Sequence, residues 1–265
     1  MTGTQNREDS ADWPVIGAAL LAGIAAALQI GKASAALPLL RAEFAVGIAQ
    51  ASWYLSLFSL GAALFGSVLG ILTFLIGALR AGAAGLVLLS IGSLVGPLAD
   101  SWSLFVGARL IEALGLPLVI AAMPTIIQER SAGSRRVLAM GLWSTWLPLG
   151  VAAAMAISTL GLDRFGWRGL FVVCGLVPLL ALGALIVIVA RRPLAKVATK
   201  QGLSISMPDA PTLVHAGLFA LFGASYLIPA ICLADVKARF RCRDEIGLIL
   251  GFPGNSHPSG RASSQ

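Results

Sequence analysis

The sequence predicts an all-α protein, a polytopic bundle of transmembrane helices. Three observations carry that prediction. Hydrophobic residues make up 57% of the 265 residues and charged residues only 12%, about half the charged share of an ordinary soluble domain. The mean hydropathy is +0.88. The apolar residues fall into six or seven blocks parted by short charged breaks, each block long enough for the roughly 20 helical residues that cross a hydrocarbon core. A soluble core in a chain this short has no room for so many long apolar helices.

Residues 1–13 form a polar tail in which Arg7 is opposed by Glu8, Asp9 and Asp12. That charge has the wrong sign for a signal peptide, and the apolar stretch behind it is too long, so the first block is expected to stay as a helix. It covers 14–38, with Pro14 suited to a first helical turn. The second helix is expected over 50–79, the third over 81–99, the fourth over 103–127, the fifth over 137–160 and the sixth over 169–190. A polar linker (191–211), a seventh apolar block (212–234) and a basic, polar tail (235–265) follow. Between the second and third helices the run 73–84 holds one charge, Arg80. A hairpin is expected there, because one helix of about 50 residues far exceeds a span.

Within the blocks, Gly61, Gly66 and Gly70 line the second helix and Gly82, Gly85 and Gly92 the third. Small residues let membrane helices approach closely. Pro117, Pro124, Pro148 and Pro178 interrupt helices four, five and six. Each removes a backbone hydrogen bond and favours a kink, which serves either as a gating joint or simply as shape for packing.

Orientation follows from the Lys and Arg of short loops. With the N-terminus in the cytoplasm, nine fall inside (Arg7, Arg80, Arg130, Arg135, Arg136, Arg191, Arg192, Lys196, Lys200) and three outside (Arg41, Arg164, Arg168). The expectation is a multi-pass protein of a bacterial inner membrane with a cytoplasmic N-terminus and linker. If the seventh block spans, Lys237, Arg239, Arg241 and Arg243 land outside, against the rule.

The net charge of +7 sits in breaks between apolar blocks, with no basic stripe interleaved by aromatics, which excludes a nucleic-acid partner. Cys174, Cys232 and Cys242 share no metal-binding or disulfide spacing. No GxSxG, HExxH, Walker A or paired-carboxylate motif is present, so neither an enzyme nor a cofactor or metal site is expected.

Charge at bilayer depth costs roughly 2.5–3.5 kcal/mol on insertion scales and therefore tends to face the bundle interior. Arg109 lies about two turns inside the fourth block, and Glu112 follows one turn later on the same face. They read as a cavity-lining cation with a proton-relay partner, or as a structural ion pair. Lys32 reads as an attractor for an anionic solute, or as a side chain snorkelling to the headgroups. His215, in the seventh block, reads as solvated or as a relay group.

The stretch Gly70-Ile71-Leu72-Thr73-Phe74-Leu75-Ile76-Gly77-Ala78-Leu79-Arg80 resembles the loop 2–3 signature of the major facilitator superfamily, G-x-L-A-D-R-x-G-R-[RK]-x. Gly70, Leu72 and Gly77 match. Phe74, Leu75 and Ala78 stand where Asp, Arg and Arg are expected, so the charged cytoplasmic gate contact of the family is missing. The run 109–115, R-L-I-E-A-L-G, is similar to the fourth-helix pattern, with Ala113 at its glycine. Residues 124–143 resemble loop 4–5 and the fifth-helix entry, and Gly166-Trp167-Arg168-Gly169-Leu170-Phe171 resembles the G-W-R-x-x-F opening of the sixth helix. Residues 31–38 and 146–150 are similar to the cyanate/nitroimidazole-type transporters.

The resemblance implies an N-terminal six-helix half plus one further helix. The chain would then be truncated or frame-shifted after about the seventh helix, with a missing C-terminal half or a homodimer completing it. It implies secondary active transport of a small solute by alternating access; the alternative is a non-transporting membrane scaffold or inactive fragment. Because helices one, four and five line the family's cavity, Gln29, Ser34 and Trp146 become candidate solute contacts, though such residues also serve as interhelical bonds or interface anchors. Gly70, Gly77 and Arg80 become the candidate gating loop.

Overall fold

The structure is a computed structural model that describes residues 10–192. The linker from 193 onward, the seventh block at 212–234 with His215, and the tail at 235–265 lie outside the described residues.

Among the described residues every regular element is helical. Helix α1 spans Trp13–Glu43, α2 Ile48–Ile76, α3 Ala78–Val95, α4 Trp102–Glu129, α5 Gly133–Trp143 and α6 Trp146–Arg191, with a short 3-10 turn at Gly96–Leu98 between α3 and α4. Four of these helices, and α5 taken with α6, are long and apolar enough to cross a membrane. Gly166 divides α6 into two arms, its φ of 63° and ψ of −174° being non-helical. The first arm continues α5 as a fifth pass and the second makes a sixth. The chain is therefore a multi-pass membrane protein whose outer faces contact lipid.

The expected boundaries shift for identifiable reasons. α1 does not stop at Pro38 but runs through it to Glu43. Pro38 leaves the Ser34 carbonyl without its helical donor, and the helix continues past it. The fifth pass is broken at 144–145, where a continuous helix was expected. Pro148 then falls in the first turn of α6, where a missing N–H costs nothing. Pro117, Pro124 and Pro178 lie inside continuous helices. Between α2 and α3 the chain turns on Gly77 alone, whose φ of 88° and ψ of 145° suit glycine best.

α1 packs chiefly along α6, α3 along α4, and α2 against α4. Small residues set these approaches. A Cβ on Gly150 would lie 2.5 Å from the Ile24 carbonyl oxygen of α1, and one on Gly85 would lie 2.7 Å from the Gly115 carbonyl oxygen of α4. Gly61, Gly82 and Gly92 likewise sit against neighbouring helices, whereas Gly66 and Gly70 have no neighbour near a Cβ position. The second-helix glycines thus pack only at Gly61. α2 buries the smallest share of its apolar stretch of all the spans.

The two ends of the bundle are closed differently. At the end bearing the N-terminal segment, Ala11 and Ser131 form an antiparallel bridge, and Asp12 pairs with Arg130 (3.2 Å) and Arg192 (2.9 Å). At the opposite end Glu43 accepts hydrogen bonds from Trp167 and Arg168. Phe44, Tyr54, Trp102, Phe105, Trp167 and Phe171 cluster beneath that contact with neighbouring ring centroids 5.0–5.9 Å apart.

Candidate functional site

Four passes converge on one buried polar cluster. α1 contributes Gln29 and Lys32, three residues apart and so on one face. α4 contributes Arg109 and Glu112 with the same spacing, α3 contributes Ser93, and the second arm of α6 contributes the Cys174 carbonyl and the Phe171 ring. Gln29, Lys32, Ser93, Arg109 and Glu112 are all at most 2% exposed.

Glu112 is the centre. Its Oε1 accepts from Lys32 Nζ at 2.7 Å and lies 2.7 Å from Ser93 Oγ, while Oε2 accepts from Arg109 NH1 at 2.6 Å. Arg109 NH1 also donates to the Gln29 carbonyl oxygen at 3.0 Å. Gln29 Nε2 donates to the carbonyls of Cys174 (2.9 Å) and Ala25 (3.1 Å), tying α1 to α6. Ser93 Oγ accepts from Lys32 Nζ at 2.5 Å and faces two acceptors, Glu112 Oε1 and, at 2.8 Å, Gln29 Oε1. A hydroxyl has one proton, so Ser93 satisfies only one of them at a time. Gly92 makes room for the carboxylate: a Cβ there would sit 2.6 Å from the Ala108 carbonyl oxygen and run into the Glu112 side chain.

Aromatic rings complete the shell. Lys32 Nζ lies 4.4 Å from the Phe171 ring centroid. The Arg109 guanidinium lies 3.7 Å from that of Phe58 and 4.9 Å from that of Tyr54, both on α2. Such contacts contribute about 2 kcal/mol when desolvated. Arg109 Nε, fully buried, has no hydrogen-bond partner.

The expected site residues divide accordingly. Arg109, Glu112, Lys32 and Gln29 come together. Lys32 does not snorkel: the helix end at Glu43 is about 17 Å away at 1.5 Å per residue, and the ammonium is held inward. Ser34, two residues past Lys32, is exposed on another face. Trp146 is half-buried and stacks on Trp143 with centroids 5.5 Å apart, away from the charges. Gly70 lies within α2, Gly77 is the turn, and Arg80 is exposed, with no ion pair among the described residues. The described residues hold no group of three or more His, Cys, Asp or Glu placed to bind a metal.

Ser93, Tyr54, Phe58 and Phe171 were missed. Ser93 leaves a faint signal, a hydroxyl beside a glycine in an apolar helix. The three rings give none, since aromatic residues in a membrane helix face lipid as readily as a partner.

A family model described as Major Facilitator Superfamily matches residues 19–240. The multidrug resistance protein Stp of Mycobacterium tuberculosis is 29% identical over 139 residues, 52% of this chain and 26% of that protein. The arabinose-proton symporter of Escherichia coli is 26% identical over 176 residues, 66% of this chain and 37% of that protein. The riboflavin transporter RibZ of Clostridioides difficile is 21% identical over 136 residues, 51% of this chain and 30% of that protein. The chain thus matches between about a quarter and somewhat over a third of the length of these relatives.

Proposed function

The chain belongs to the Major Facilitator Superfamily, and on that premise we propose that it takes part in secondary active transport of a small solute by alternating access. The observation that carries this reading is the buried cluster around Glu112. Lys32, Glu112 and Arg109 lie inside the bundle, where charge is costly and usually marks a solute or ion pathway. The cluster joins α1, α3, α4 and α6, so a change of charge or ligand at Glu112 acts on four passes together. Lys32, Arg109 and Gln29 would orient the solute or couple its movement to an ion gradient.

The reading extends to placement. The excess of Lys and Arg at the end bearing Asp12 supports a cytoplasmic position for that end, in keeping with a bacterial inner-membrane protein. The similarity of residues 31–38 and 146–150 to the cyanate/nitroimidazole-type members supports a place beside them. A second reading, a non-transporting scaffold or inactive fragment, is favoured by one feature. Phe74, Leu75 and Ala78 stand where the charged loop residues are expected, and Arg80 is exposed with no ion pair among the described residues.

Uptake by the purified chain in proteoliposomes decides between them. The solutes would be labelled arabinose and riboflavin, after the relatives, and acetate as a small carboxylate, under imposed proton and sodium gradients. Gradient-driven uptake abolished by Arg109→Ala is the expected result. No uptake at any lipid ratio favours the scaffold.

A further inference from the structure

We propose that the free Nε edge of Arg109 is the docking point for one small anion of the carboxylate class, covered by Tyr54 and Phe58 of α2. This rests on the transport reading of the same cluster and names its ligand.

The first ground is charge balance. The cluster holds two cations, Lys32 and Arg109, and one carboxylate, Glu112. The other acidic residues among those described, Asp12, Glu43, Asp100, Glu129 and Asp163, stand at helix ends or turns. None of them is placed to neutralise the surplus cation at mid-depth. A single unbalanced charge buried in low dielectric is strongly unfavourable, and a bound anion removes that penalty.

The second ground is geometric. Both hydrogen bonds of Arg109 run from NH1, and buried Nε is left without a partner. A guanidinium binds carboxylates through two parallel N–H groups along one planar edge. The edge containing Nε is the one still free, and orphaned buried donors are rare.

The third ground is access. The guanidinium face is covered by Phe58 and Tyr54, and these belong to the least buried span of the bundle. An outward shift of α2 would uncover Arg109 while leaving the contacts among α1, α3, α4 and α6 in place.

The test is thermal unfolding of the full chain in lipid nanodiscs, titrated with sodium acetate and, in parallel, with acetamide. Acetamide has the same shape and no charge. Ionic strength is held constant with a bulky sulfonate buffer. Acetate is expected to raise the midpoint by several degrees at saturation, as any ligand selective for the folded state does, and acetamide to leave it unchanged. Lys32→Gln brings the cluster to neutrality and is expected to abolish the acetate effect. Glu112→Gln enlarges the surplus and lowers the acetate concentration for half effect roughly tenfold. Arg109→Lys keeps the charge but loses the planar edge, and weakens the response.

Equal effects of acetate and acetamide, no effect of either, or an undiminished response in Lys32→Gln would overturn the proposal. The wild-type comparison decides even if a variant does not fold. Acetate stabilisation with no uptake of acetate, arabinose or riboflavin in proteoliposomes leaves the anion site standing and removes the transport reading. Uptake of a neutral solute with no acetate response does the reverse.

Discussion

Two carboxylates in this bundle do the same arithmetic in different surroundings. Glu112 bridges Lys32 and Arg109 at mid-bundle, with all three side chains at most 1% exposed. Asp12 bridges Arg130 and Arg192 at the N-terminal end, where side-chain exposures run from 16% to 54%. Each is one negative charge between two positive ones. At the end of the bundle, water and headgroups solvate the surplus cation, and the pairs act mainly as a clasp among the N-terminal segment, the α4–α5 turn and the end of α6. At mid-depth no solvent does so, and the surplus must be met by hydrogen bonds, aromatic faces or a ligand. Burial, not stoichiometry, separates a structural ion pair from a candidate functional one.

The largest expected effect breaks the buried member. Glu112→Ala removes the cluster's carboxylate and leaves the buried cations Lys32 and Arg109 facing each other. Breaking a buried pair costs about 3–5 kcal/mol, and here two are broken at once. The variant is expected to unfold far more readily in mixed-micelle denaturation, or not to accumulate in the membrane. A loss no greater than that of Asp12→Ala would mean that water reaches Glu112 and that the contrast between the two sites is false.

A smaller effect is expected where the cluster meets its packing. Gly92→Ala places a Cβ against the Ala108 carbonyl oxygen and the Glu112 side chain, and overpacking of this kind costs about 1–3 kcal/mol. Because α3 also carries Ser93, the same change displaces the hydroxyl that serves Gln29 and Glu112. Gly70→Ala, with nothing near its Cβ position, is the control and should be silent in the same unfolding measurement.

How much of this was legible in the sequence follows from the range of each interaction. The helices were legible because a membrane span is a local property of roughly 20 residues. Arg109 and Glu112 were legible as a pair because three-residue spacing on one helix fixes their shared face. That Lys32 joins them was not, because the contact crosses 80 residues and depends on how α1 lies against α4. Ser34 stays out of the cluster for a geometric reason: two residues past Lys32 is about 200° around a helix of 3.6 residues per turn, nearly the opposite face. Trp146 was a candidate contact because the family's fifth helix lines its cavity; that it stacks on Trp143 across the turn at 144–145 had no local signal. The Tyr54 and Phe58 cover is a tertiary fact with no local signature.

The smallest effect sharpens the comparison from the solvated side. Asp12→Ala removes two ion pairs that are partly exposed, and such pairs contribute between zero and about 1 kcal/mol each. Part of the clasp survives without them: Asp12 N–H still donates to the Arg130 carbonyl oxygen at 2.9 Å, and Ala132 N–H to that of Ser10 at 2.9 Å. The expected destabilisation is therefore under about 1 kcal/mol. Raising salt from about 0.1 M to 1 M shortens the screening length from about 10 Å to 3 Å and should erase the difference between Asp12→Ala and the parent chain. The same step, made with a bulky sulfonate salt too large for the Arg109 site, should leave the cost of Glu112→Ala or Glu112→Gln unchanged, because bulk screening does not reach the buried cluster. Asp12 and Glu112 share no partner, so combining Asp12→Ala with Glu112→Gln should give the sum of the two effects to within about 0.5 kcal/mol. A larger coupling would mean that the clasp and the cluster move as one, the connection that alternating access requires.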